Sequence, residues 1–507
     1  MKVKLVSFVS FFLLFSHAIV VMPGLHSAER KNGLIDARDR FEVSDQQPSP
    51  IYLPLIVSPP IRVSSVLTPF DGNLEDLFGP SGSIYGKMPE IIVASNGVEL
   101  DVLAQDYDSG TPWKAVLLHI APDSTGRYRI SQALTNIPML DRVMGLAIDG
   151  FGNRYYATGI DERALVNLHY PMMRPRNDIV RVVKLDAAGN VVFNTDLDVA
   201  RYAFNRGAGS IVNPMVASTA RLVVGGNEIV LVHGNNTEPI DGVRHQVSLT
   251  TRLNAESGEV IGTSGVYASH AFDHRLLYDG ERVMTCHLGD AYPRAIICGW
   301  RFSSTFNYRV FRIKGNIGEN NTYTRLGNAA LIENDPNYRY IVLFATESNA
   351  STEAFINGPR NLAIVRMGKD GNVDPSLPDA LAVVSGVEPY TNRLRWLTRY
   401  SESSNLHAER PKLIGIGGNR YIALWEEWRA VGLYSDVFNG VYGMVIDDRG
   451  NILRSARLIT DKHHLPRGDD AFLLDNRAAW MTGNAVEKKL YLHFVDDALN
   501  YEMVKLD

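Results

Sequence analysis

Three clusters in this chain hold side chains suited to proton transfer or to hydrogen bonding with a polar ligand. Ser269-His270-Ala271-Phe272-Asp273-His274-Arg275 and Asn405-Leu406-His407-Ala408-Glu409-Arg410 each place His near Arg, just ahead of an apolar run. The third runs from His233-Gly234-Asn235-Asn236-Thr237 to Asp241-Gly242-Val243-Arg244-His245 and mixes donors with acceptors. Histidine changes charge closest to neutral pH, so His245, His270, His274 and His407, with Arg410, are candidate ligand-binding residues. The turn Gly289-Asp290-Ala291-Tyr292-Pro293-Arg294 is the densest polar and aromatic one. With His274 and His287 beside it, it suits proton abstraction next to a uronate carboxylate, Arg294 neutralising the charge.

Carboxylates recur at Asp161-Glu162, Asp290, Glu347, Glu426-Glu427 and Asp496-Asp497. Two carboxyls across a scissile bond hydrolyse glycosides; the plainer role is to satisfy Arg side chains and loop amides. Asp290, Tyr292, Arg294 and Glu426 complete the candidate ligand set. Trp425, Trp428, Tyr292 and Trp300 offer flat faces that would stack on a sugar or pack in the core. Asp273 between His270 and His274 supplies metal-type donors. An i, i+4 spacing shares one face only on a helix, however, and here it leads into a strand, so no metal site is expected. The chain has no phosphate-cradling P-loop, no His-Glu-x-x-His and no Gly-x-Ser-x-Gly elbow, and it points to no particular cofactor.

The elements that position these residues form a repeat. Leu146-Ala147-Ile148-Asp149-Gly150-Phe151-Gly152-Asn153-Arg154-Tyr155-Tyr156 is a strand, a tight turn and a strand. The phrase returns at 222–230, 276–283 and 413–422. A second turn also recurs, as Asp123-Ser124-Thr125-Gly126, Asp186-Ala187-Ala188-Gly189-Asn190, Asn254-Ala255-Glu256-Ser257-Gly258, Lys369-Asp370-Gly371-Asn372 and Asp447-Asp448-Arg449-Gly450-Asn451. A capping acid or Asn, with Gly where φ is positive, is hairpin chemistry. Repeats at roughly 50–80 residues predict an all-β chain of stacked four-stranded units, a β-propeller. Pairs of inner strands near 91–104, 143–159, 221–233, 275–287, 329–345, 412–425 and 477–494 give seven four-stranded blades, with six or eight as alternatives. Only one strand, 501–506, follows the last pair, so residues 62–67 are the candidate to complete the seventh blade.

If the strands of a blade are a to d from the inside out, the a–b and c–d turns are tight. The b–c and d–a connections are long and varied, and they emerge on one face, where sites are usually built. Cys286 closes a strand b and Cys298 opens the next strand c. In an antiparallel hairpin centred near Tyr292 they face each other, and little adjustment brings them to disulfide distance.

At the N-terminus, Lys2 and Lys4 precede an apolar run at residues 5–15, and Ser16-His17-Ala18 offers a cleavage site, with His26-Ser27-Ala28 as a second. Residues 1–28 are therefore expected to be a signal peptide cut after Ala18 or Ala28; read on through Met22, the run is about long enough for an anchor. A polar, Pro-rich disordered spacer is expected at 29–61, the propeller at 62–507, and no membrane span in the mature chain. Apolar residues make up 45% and the net charge is -5, which gives nucleic acid no basic surface. Two cysteines exclude a disulfide-rich scaffold.

The phrase Asp-x-x-Gly-Asn followed by a β-branched or aromatic strand resembles the repeats of exported bacterial β-propeller proteins. The segment Tyr52-Leu53-Pro54-Leu55 resembles one found after their signal peptides. The resemblance implies a secreted, extracellular or periplasmic propeller. Its expected function is to bind a glycan or a cell-surface protein on the long-loop face. The alternative is an extracellular polysaccharide lyase or glycoside hydrolase.

Overall fold

The computed structural model describes residues 91–106, 114–140, 142–159, 180–197, 220–236, 246–266, 271–289, 295–299, 307–313, 324–348, 359–385, 388–431, 436–466, 468–484 and 489–506. All lie within the unit Pro59–Asp507. They form seven antiparallel sheets, each built from strands consecutive in sequence. The fold is a seven-bladed β-propeller, as the repeat predicts. The innermost strands of blades 1 to 7 are Ile91–Ser95, Arg142–Ile148, Arg221–Gly225, Ala271–Tyr278, Arg325–Leu331, Leu406–Gly415 and Phe472–Leu474. Among the described residues no helix is long and apolar enough to cross a membrane.

Apolar, β-branched runs make the inner strands because both faces of a blade pack against neighbouring blades. Tyr340–Glu347 and Arg360–Met367 of blade 5 are buried along their whole length. The tight turns hold these strands in register. Asp149 Oδ1 accepts the amides of Phe151 and Asn153, both at 2.9 Å. Asp186, Asp447 and Asp496 take the amide four residues on in the same way. Gly126, Gly189, Gly258, Gly371 and Gly450 all have φ between 73° and 92°, a region costly for any side chain.

Two features differ from the expected parsing. In blade 7 the pair at 477–494 consists of the second and third strands, because Phe472–Leu474 lies inside it. This three-residue strand is too short to register as an apolar repeat. Blade 7 thus draws all four strands from 472–506 and needs none from elsewhere; residues 62–67 lie outside the described residues. Asp496-Asp497 then belongs to a c–d turn, on the face opposite the long loops. Blade 5 carries a fifth strand, in the order Arg325–Leu331, Tyr340–Glu347, Arg360–Met367, Glu388–Trp396, Asp379–Ser385. The added hairpin leans on blade 4, where Asn392 bonds both the amide and the carbonyl of Arg312 at 2.8 and 2.9 Å.

Blade 7 meets blade 1 through one apolar cluster that includes Leu100, Val102 and Leu118 with Met481, Leu492 and Phe494. Ser95 Oγ donates to the Leu473 carbonyl at 3.0 Å, and the Asp475 amide donates to that of Gly97 at 2.9 Å. The ring therefore closes by apolar packing and hydrogen bonds between complete blades.

Cys286 and Cys298 are directly opposed across the second and third strands of blade 4 and form a disulfide, with Cα atoms 4.1 Å apart. Both are fully buried. Closing a loop of this length removes unfolded-state entropy worth about 3 kcal/mol. The double variant Cys286→Ala/Cys298→Ala is expected to lose about 2–4 kcal/mol of unfolding free energy in urea titration; an unchanged midpoint would mean the bond adds nothing.

Candidate functional site

Four innermost strands slip register in their first half. The slips fall between Val143 and Gly145, Ala271 and Asp273, Leu326 and Ala329, and Glu409 and Lys412. A β-bulge re-aims the side chains beside it, and these bulges lie towards the long-loop end of the ring. In blade 6 the bulge contains Arg410, whose φ is +49°. It sends neighbouring side chains three ways: Glu409 to blade 5, Arg410 to Glu426 of its own blade, and Lys412 to the segment entering blade 7. Gly327 is needed at the blade 5 bulge, because a Cβ there would lie 2.7 Å from the Leu343 carbonyl oxygen and 3.1 Å from that of Pro411. Gly327→Ala is expected to cost about 1–3 kcal/mol, the usual overpacking range, read as a lowered urea midpoint; a neutral effect would show that the backbone there gives way.

The bulges and strand starts gather two groups of ion pairs. Asp469 and Asp470, just ahead of blade 7, cross the channel as a strap. Asp470 Oδ2 accepts from Arg221 Nε of blade 3 at 3.2 Å, and its Oδ1 lies 3.1 Å from Arg275 Nε of blade 4. In a ring of seven, blades 3 and 4 stand opposite blade 7. Arg221 also donates to the Gly468 carbonyl at 2.9 Å, and Arg275 pairs with Asp273 and bonds the Leu326 carbonyl at 3.0 Å. Asp469 Oδ2 accepts the Val93 amide of blade 1 at 2.8 Å, and its carbonyl takes Lys412 Nζ at 2.5 Å. Between blades 6 and 5, Glu409 accepts from Arg360 Nε at 2.5 Å and Arg325 Nε at 3.1 Å.

Burial and neighbouring charge then set protonation. Burial pushes the Glu409 carboxyl up, but Arg360 and Arg325 overcome it and hold it at about 2. Burial likewise raises Asp470, and Arg221, Arg275 and Lys412 overcome it, so Asp470 stays ionised. For Asp469 burial wins and its carboxyl is raised. Burial, with Arg275 next, lowers Lys412.

Of the residues singled out from sequence, Arg410 and Glu426 pair on blade 6, and His407 of the same blade meets Arg360 of blade 5 instead. The Arg360 amide donates to His407 Nδ1 at 3.3 Å, and burial lowers this imidazole to about 4. Glu426 is fully buried and accepts from Arg410 at 2.8 Å, the Leu465 amide at 2.7 Å and Trp428 Nε1 at 2.8 Å. His464 stacks on Trp428, ring centres 5.7 Å apart. His274 lies elsewhere, buried where blade 4 meets blade 3, with Nε2 2.6 Å from Ser248 Oγ and its ring edge-on to His287 at 5.2 Å. His245, His270, Asp290, Tyr292 and Arg294 lie outside the described residues. Trp425 is core, its Nε1 donating to Tyr400 OH at 3.0 Å. Among the described residues no group of three His, Cys, Asp or Glu side chains is placed to hold a metal ion.

Sequence reasoning missed Arg221, Arg325, Arg360, Lys412, Asp469 and Asp470. A signal existed: a basic residue followed by Leu or Val recurs in five inner strands, opening three as Arg142-Val143, Arg221-Leu222 and Arg325-Leu326 and lying further along two as Arg275-Leu276 and Lys412-Leu413. Blade 7 has Asp469-Asp470 just ahead of its inner strand instead, and Asp470 answers Arg221 and Arg275.

No protein-family model matches the chain, and a search of curated proteins finds no match. Solved structures match at low similarity. The xylan β-1,4-xylosidase of Bacillus halodurans C-125 is 12% identical with a TM-score of 0.27, covering 64% of this chain and 56% of that one. The hydrazine synthase of Kuenenia stuttgartiensis is 10% identical with a TM-score of 0.39, over 83% and 96% of the two chains. The α-L-arabinanase of Penicillium chrysogenum is 11% identical with a TM-score of 0.35, over 59% and 97%. This chain thus spans little more than half of the xylosidase. Likeness at this level carries no argument about this chain.

Proposed function

We propose that the protein is an exported propeller that binds a glycan at the long-loop end of its channel. The observation that supports this most is the convergence of Arg221, Arg275, Arg325, Lys412, Glu409, Asp469 and Asp470, from five blades, on that end. Guanidinium groups donate and carboxylates accept, so together they match hydroxyls, which do both. The Lys-rich start and apolar run at residues 5–15 support export; an N-terminus beginning after Ala18 or Ala28 is the expected result for exported protein, and Met1 on membrane-bound material would contradict it. A second reading, hydrolysis, draws on the two strap carboxyls. Asp469 is raised while Asp470 is lowered, and neighbouring acids driven apart in this way suit an acid and an ionised partner.

Incubation with a panel of neutral and acidic polysaccharides, following retention and product release together, separates the two. Retention without new chain ends is the expected outcome. New reducing ends would favour the hydrolase and unsaturated ends a lyase; retention of none, with capture of a surface protein instead, would remove the glycan.

A further inference from the structure

The outermost strand of blade 6, Ile452–Thr460, is an open edge. Residues 452–458 are all exposed, and among the described residues no strand pairs with its outer side. The backbone donors and acceptors on that side are therefore unpaired. Ile452, Leu453 and Leu458 are 51%, 50% and 42% exposed, and no other outermost strand among the described residues exposes three large apolar side chains. The ring has space for an addition there, because neighbouring blade 5 already carries a fifth strand at its own outer edge.

Charge decides what would pair with this edge. The stretch 449–460 holds Arg449, Arg454 and Arg457 and no acid. Arg395 of blade 5 adds a fourth base, its Cγ 2.7 Å from where a Cβ on Gly450 would lie. Among the described residues none of the four forms an ion pair. The acids ahead of the strand are engaged: Asp447 accepts the amides of Arg449 and Asn451 at 2.9 and 2.8 Å, and Asp448 pairs with Arg366 at 2.8 Å. The next acid is Asp461, past its end.

Charges and bulges on an edge normally discourage pairing, and this strand has both, with three register shifts against its neighbour. The arginines discriminate between partners, however. A second copy lying antiparallel, with Leu453 opposite Leu458, would set Arg454 opposite Arg457, like charges face to face. A strand with acids at those two positions would meet opposite charge instead.

We propose that blade 6 binds an acidic peptide in extended form as its fifth strand, with the pattern apolar, acidic, any, any, acidic, apolar opposite Leu453 to Leu458. Main-chain hydrogen bonds supply the affinity of such a complex and the side chains its selectivity. The edge is the outermost strand of its blade and the channel is lined by the innermost ones, so this site and the glycan site stand or fall separately.

Fluorescence anisotropy on the intact protein with labelled Thr-Val-Glu-Thr-Thr-Glu-Val-Thr is the test. Binding with Kd below about 100 μM is expected, at least about tenfold weaker when both Glu are replaced by Lys. Of the two forms N-methylated on alternate amides, at least one is expected to bind about tenfold more weakly, because it cannot donate to the edge. Arg454→Glu/Arg457→Glu, at two exposed positions, is expected to reverse the preference in favour of the Lys peptide. Hydrogen exchange should show protection at 452–458 in the complex. No binding of the Glu peptide, or equal binding of the Glu and Lys peptides, would overturn the proposal. Undiminished binding of both methylated peptides would also overturn it, reducing the arginines to a patch for any polyanion. Self-association of the unmodified protein with protection at 452–458 would assign the edge to a second copy instead.

Discussion

Glu409→Gln is expected to lower the unfolding free energy by about 3–5 kcal/mol, the usual cost of breaking one side of a buried ion pair. Gln keeps the shape and removes the charge. What it leaves behind is Arg360, fully buried, and Arg325, mostly buried, both aimed at the lost carboxylate. The contacts link blade 6 to blade 5, so the loss should appear as easier separation of those blades as well as a lower urea midpoint. Packing alone does not predict this, because the substitution changes almost no volume. The double variant Glu409→Gln/Arg360→Met should recover part of the loss, since the stranded charge goes with its partner. A single-variant cost below about 1 kcal/mol would mean the pair is solvated and holds little.

Acid is expected to destabilise the protein well before the carboxylates that its ion pairs hold low, such as Glu409 and Asp470, titrate. His233, His287 and His407 are each lowered to about 4 by burial, and His493, stacked on Trp480 at 4.8 Å, is lowered well below its ordinary value by burial and His463. These imidazoles stay neutral in the fold but protonate in the unfolded chain near pH 6.5. Unfolding therefore takes up protons between pH 6.5 and about 4, and stability present above that window is lost as pH falls through it. His233, His287 and His407 each contribute on the order of 3 kcal/mol across the full window. Glu409, depressed to about 2, adds a further loss as pH falls below about 4.5. Urea midpoints measured from pH 7.5 down to 4.5 should fall steadily; a flat profile between 6.5 and 4.5 would show that these histidines are protonated in place.

The fold was legible in the sequence because its signals are local. Gly-Asn turns, Asx-capped hairpins and alternating runs sit within a few residues of one another, and the Cys286–Cys298 pairing follows from hairpin geometry alone. Phe472–Leu474 escaped because three residues carry no period, and the extra hairpin of blade 5 because the Lys369-Asp370-Gly371-Asn372 turn resembles the other c–d turns. The site was harder to read. His407, Arg410 and Glu426 were reached through residue type, yet they are held by contacts from Arg360, Leu465 and Trp428 that only the ring brings together. Asp470 meets Arg221 across 249 residues, a separation at which no local pattern operates. What a single repeat hides, the alignment of repeats exposes: the basic residue that recurs in five of the inner strands is visible once the blades are superposed.

Hydrogen exchange with and without a retained polysaccharide tests the central claim most directly, because it locates the site without assuming the ligand's identity. Protection is expected at the strap, residues 468–471, and at the starts of the inner strands, residues 220–223 and 406–412. Protection confined to the tight-turn face, at 149–153 and 447–451, or to the outer strand Ile452–Thr460, would place the ligand elsewhere and contradict the account.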